Sequence, residues 1–99
     1  MKKILILSAF AIITFSCADK KVKTSGVDGR KVFKQNCVVC HGLDGKLGLN
    51  GSKDLALSKM SLDERKAIIK NGKGNMVGLG TLLKPEQIEA VAEYTLKLK

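Results

Sequence analysis

The amino-acid sequence predicts an all-α fold with functional loops. Three observations lead there. Three stretches place apolar residues at helical spacing, no stretch alternates convincingly as a strand, and glycine-rich segments at 42–53 and 72–80 separate the helices. With 99 residues the chain accommodates one small domain, which excludes a large multidomain enzyme and a membrane-spanning bundle. A domain of this size buries only about 60% of the surface its unfolded chain exposes, and often needs a metal, a disulfide or a cofactor. Beyond residue 16 the only aromatic side chains are Phe33 and Tyr94, so something else must supply core bulk.

The N-terminal segment stands apart. Lys2 and Lys3 precede the uncharged run 4–15, and Ser16, Cys17 and Ala18 follow, the pattern of an export signal. Twelve uncharged residues would make a helix about 18 Å long, short of the ~30 Å hydrocarbon core, so a membrane span is not expected. Two cleavages compete. Ser16-Cys17-Ala18 suits a general signal peptidase, which would discard Cys17, whereas Thr14-Phe15-Ser16-Cys17 resembles a bacterial lipobox with Thr14 in place of the usual Leu. In the second case Cys17 becomes a lipid-modified first residue and anchors the protein to a membrane. Residues 1–16 are then the signal, 17–27 a basic polar tether and 28–99 the domain. From Cys17 onward 16 Lys and Arg face 9 Asp and Glu, which lowers the formal net charge from +9 to +7.

Each helix has its own start and stop. Asp28 is a good N-cap for a first helix carrying Val32, Phe33 and Cys37 at helical spacing. Ser61-Leu62-Asp63-Glu64 is a capping-box pattern that opens a second, which runs through Ala67, Ile68 and Ile69 to Asn71-Gly72. Pro85 suits the first turn of a third, where Ile88, Val91, Ala92 and Thr95 share one face and Glu86 and Glu89 lie near the positive end.

At the end of the first helix stands Cys37-Val38-Val39-Cys40-His41, a Cys-x-x-Cys-His motif and the attachment signature of c-type haem. Two thiols about one helical turn apart can each form a thioether with a haem vinyl group, and the histidine beside them is placed to ligate the iron. Other uses of the pattern fit less well. Zinc wants four ligands, and this chain has one His and three Cys, one of them in the leader. A thioredoxin-type pair expects a βαβ setting, and a disulfide across two intervening residues would staple very little chain.

On these residues the chain resembles the class I cytochromes c, small single-haem electron carriers, from Gly29 to about Leu98. Gly29 and Phe33 match the helix before the motif, His41-Gly42-Leu43-Asp44-Gly45 the turn after it, and Tyr94 the last helix. The resemblance implies three or more helices wrapped around one covalent haem c, with the first and last helices crossing closely at the glycine. A single His rules out two histidine ligands within one chain, and beyond the leader Met60 and Met76 remain as thioether donors. The family's distal ligand lies in a loop just before the last helix, which carries the role to Met76. Val77 follows it where the family usually has Pro, an exchange expected to soften the loop. Leu47, Leu49, Leu55, Leu57, Ile68, Leu79, Leu82 and Val91 are the candidate walls of the pocket. An iron closed by His41 and Met76 has no open position for substrate, so the implied function is one-electron transfer between respiratory redox partners on the extracytoplasmic side. No enzyme activity is expected. A labile distal Met would instead suit a haem-based sensor or gas-binding protein, and a dedicated electron-input subunit of one oxidase, reductase or dehydrogenase would look the same in sequence. Lysines 46, 53, 59, 70 and 73 could steer acidic docking surfaces. The export pattern, the lack of a binding motif and the sparse aromatics argue against nucleic acid.

Overall fold

The computed structural model describes residues 26–99; the leader, Cys17 and most of the tether lie outside the described residues. Among the described residues there are four helices: α1 (Gly29–Asn36), α2 (Val38–His41), α3 (Leu62–Asn71) and α4 (Pro85–Leu96). A 3-10 turn, Leu49–Gly51, lies between α2 and α3, and a two-stranded hairpin, β1 (Gly72–Lys73) and β2 (Met76–Val77), follows α3. Its strands are antiparallel, pairing Gly72 with Val77 and Lys73 with Met76.

The caps act as their residue types require. Asp28 Oδ1 accepts from the Arg30 and Lys31 N–H groups at 3.0 and 3.4 Å. Ser61 and Glu64 exchange both bonds of a capping box, and Pro85 stands in the first turn of α4 with Gln87 accepting from the Lys84 N–H at 2.8 Å. The first predicted helix ends at Asn36 with Cys37 as its C-cap, and a separate short helix, α2, follows. Asn36 turns its amide back to the Val32 carbonyl at 2.9 Å, a side-chain bond that competes with the ladder, and Cys37 forms the joint at φ −116°. The hairpin was likewise not legible as a strand pair, because two residues per strand carry no periodicity.

Val32 and Phe33 of α1, Ile69 of α3, Leu83, and Ile88, Val91 and Ala92 of α4 make the core, with Val27 packed on its edge. A Cβ placed on Gly29 would stand 2.1 Å from the Ala90 carbonyl oxygen, so α1 and α4 cross where only glycine fits. Phe33 and Tyr94 meet there, ring centroids 5.2 Å apart and planes at 51°. This crossing holds the Cys-x-x-Cys-His segment at one end of the helix pair.

Candidate functional site

The joint between α1 and α2 sets out the two thiols. Cys37 caps α2, Cys40 and His41 lie within it, and His41 N–H returns to the Cys37 carbonyl at 3.0 Å. Both cysteines are free and half-buried. Burial, and secondarily Cys40 beside it, push the Cys37 thiol up to about 11. Cys37 therefore stays protonated at neutral pH while unmodified. His41 is buried, and its Nδ1 lies 3.1 Å from the Lys53 carbonyl oxygen. A carbonyl cannot donate, so Nδ1 carries the proton and Nε2 is left with the lone pair a metal would take.

Positive-φ glycines shape the loop that delivers this carbonyl. Gly42 (φ 76°) ends α2, and Gly45 (φ 78°) turns the chain so that its carbonyl receives the Leu55 N–H at 2.9 Å. Leu47 N–H bonds back to the His41 carbonyl at 2.9 Å.

Met76 lies half-buried in β2, packed against the core. Its loop is tied down on both sides. Beyond the hairpin, Leu79 N–H reaches the Ile69 carbonyl at 2.7 Å and Gly80 N–H the Lys70 carbonyl at 3.1 Å. Asn75 Nδ2 donates to the Asn50 carbonyl at 3.3 Å, joining this loop to the one that serves His41. The loop is thus stitched to α3 despite Val77, where Pro was the expected stiffener. Met60 is held differently: its carbonyl accepts from Arg65 Nε at 2.9 Å, on the segment leading into α3.

Arg65 is the residue that sequence reasoning missed. Only 7% exposed, it also donates from its two terminal nitrogens to the Thr95 hydroxyl at 3.0 Å and the Ser58 carbonyl at 2.9 Å. The signal was its spacing, since Leu62, Arg65 and Ile69 fall on one face of α3.

Of the candidate walls, Leu55, Ile68 and Leu79 are half-buried, and Leu47, Leu49, Leu57 and Leu82 are exposed on the protein alone. Val91 is fully buried, in the core cluster that α4 shares with α1 and α3. Leu43 and Val77 are exposed as well, apolar surface that a bound apolar group would cover in part. Among the described residues no cluster of three or more His, Cys, Asp or Glu could hold a bare metal ion. Two thiols, one oriented imidazole, a thioether and uncovered leucines fit a haem, which brings its own four nitrogens and needs only axial ligands. Among the described residues no helix is long and apolar enough to cross a membrane.

Comparison with known proteins agrees with this fit. The family model for subunit III of cbb3-type cytochrome c oxidase matches residues 25–94. Cytochrome c6 from a Nostoc species is 39% identical, covering 97% of this chain and 93% of the relative. Among solved structures, cytochrome c6C from a Synechococcus species superposes with a TM-score of 0.62 at 32% identity, covering 70% of this chain and 90% of that one. Cytochrome c6 from the diatom Phaeodactylum tricornutum gives 0.61 at 28% identity, covering 69% and 86%. With two thiols and a lone-pair nitrogen at the end of an α1–α4 crossing, and relatives over nearly its whole length, the chain belongs to the cytochrome c family, as a small electron-transfer protein carrying covalent haem c rather than an enzyme.

Proposed function

We propose that Cys37 and Cys40 hold the haem through thioethers, that His41 Nε2 and Met76 Sδ are its axial ligands, and that the closed iron passes one electron at a time between redox partners. The observation that carries this is the His41 Nδ1–Lys53 carbonyl bond, which fixes the tautomer and leaves Nε2 free beside two unpaired thiols. Thioether formation needs no oxidant, because each S–H adds across a vinyl double bond, sulfur to one carbon and hydrogen to the other. The haem supplies the iron couple; the chain's residues bury it and choose its ligands. A thioether opposite imidazole favours the ferrous state and raises the potential. Met76 is preferred to Met60 because its loop is joined to the loop that holds His41.

Absorption spectra of the haem-loaded protein, oxidised, reduced and reduced under carbon monoxide, test this reading. A six-coordinate low-spin iron that ignores carbon monoxide is expected, and Met76→Ala should lose the sixth ligand and bind carbon monoxide promptly. A Met76→Ala protein with the parent's six-coordinate spectrum would assign the ligand elsewhere. Prompt binding by the unaltered protein would favour a sensing role.

The same reading places the protein outside the cytoplasm. Residues 1–16 act as the export signal, 17–27 as a tether and 28–99 as the haem domain, with Cys17 as the lipidated first residue of a membrane-anchored carrier on the periplasmic side. Intact mass of the mature protein decides the last point: acylated Cys17 is expected, and an unmodified terminus at Asp19 would remove the anchor. Its redox partners present acidic docking surfaces to the exposed lysines. The match to an oxidase subunit model also favours a second reading, service to one terminal oxidase as its electron-input subunit.

A further inference from the structure

One short segment touches both sides of the candidate iron site. The Lys53 carbonyl meets His41 Nδ1 at 3.1 Å, and three residues earlier the Asn50 carbonyl meets the Asn75 amide at 3.3 Å, next to Met76. Asn50 is the one non-glycine residue with positive φ among those described, at φ 54° and ψ 30°. That left-handed conformation is uncommon outside glycine, although Asn tolerates it better than most residues. It sits in a tight winding of chain: Gly48 and Gly51 also have positive φ, and Ser52 N–H and the Ser52 hydroxyl both bond to the Leu49 carbonyl. The winding presents the Asn50 carbonyl to the opposite loop, where it accepts from the Asn75 amide.

We propose that Asn75 is a positioning residue for the distal ligand: its amide, latched to the Asn50 main-chain carbonyl, holds the Met76 loop closed against the loop that orients His41. This rests on the reading of Met76 as the distal ligand. The hairpin and the two bonds to α3 hold the base of the Met76 loop, and the latch holds its tip. Because the acceptor is main chain, the Asn50 side chain matters only through the backbone shape it permits.

The test measures carbon monoxide uptake by the reduced, haem-loaded protein and the thioether-to-iron absorption band of the oxidised one. Asn75→Ala should bind carbon monoxide roughly two- to tenfold faster than the parent, the span of one net hydrogen bond, and should weaken the band. Asn50→Gly keeps both the carbonyl and the positive φ, so it should behave as the parent. Asn50→Val opposes that φ and should match Asn75→Ala, and the Asn50→Val/Asn75→Ala double variant should be no faster than either single one. Parent-like uptake and an intact band in Asn75→Ala would overturn the latch, as would additive effects in the double variant. Met76→Ala separates the two ideas. If it loses the band while Asn75→Ala does not, only the latch fails; if it keeps the band, the assignment of Met76 fails first.

Discussion

Gly29 shows how one missing atom can hold a fold together. Alanine there would gain up to ~1 kcal/mol of helix propensity. Its Cβ would nevertheless stand 2.1 Å from the Ala90 carbonyl oxygen and 3.1 Å from Tyr94 Cβ, against main chain that cannot swing aside. Overpacking of this kind costs ~1–3 kcal/mol or more, so the clash outweighs the propensity. Gly29→Ala is expected to lower the unfolding free energy of the haem-loaded protein by about 1–2 kcal/mol in a denaturant titration. A gain in stability would mean that the two helices cross elsewhere. The glycine was legible in sequence only through its resemblance to a family pattern, because nothing in its own neighbourhood announces what lies above it. His41 is the opposite case. Its motif named it, but the tautomer that frees Nε2 depends on a carbonyl twelve residues away that no motif records.

Among the elements, α3 is held by its capping box at one end and by Arg65 on the face turned to α4. The guanidinium ties the Ser58 and Met60 carbonyls to the Thr95 hydroxyl, which in turn donates to the Ala92 carbonyl at 2.7 Å. A buried cation with neutral partners persists because its planar fork reaches three acceptors at once. Arg65→Met would leave those acceptors without their donor and should cost about 2–4 kcal/mol. Arg65→Lys should recover only part of this, since one ammonium cannot span the same three directions. Parent-like stability of Arg65→Lys, measured by chemical denaturation, would show that the charge rather than the fork matters. Helix existence was legible in sequence here because caps and periodicity agree. The break at Cys37 and the hairpin after α3 were not, since a side-chain bond from Asn36 and a two-residue strand pairing leave no periodic trace.

For the molecule as a whole, the residues from Cys17 onward carry a formal charge of +7, and Lys46, Lys53, Lys59, Lys70 and Lys73 are all exposed. Such a charge raises encounter rates with acidic partners at low ionic strength and fades as the Debye length shrinks to ~3 Å near 1 M salt. Electron exchange with an acidic partner should therefore slow steadily as salt is added. Lys53→Glu/Lys73→Glu should be roughly three- to tenfold slower at low salt and close to the parent at high salt. A rate indifferent to salt would leave the lysines with solubility alone.

The sequence by itself determined the chemistry: a Cys-x-x-Cys-His segment names its cofactor because attachment needs those residue types at that spacing, and the caps and apolar faces follow from local rules. The tertiary structure alone decided how the donors are held. Lys53 orients His41, Asn50 meets Asn75, and Arg65 is buried rather than solvated, because each depends on chain segments that come together only after folding. Local pattern records what a residue can do; only packing settles which distant carbonyl it meets.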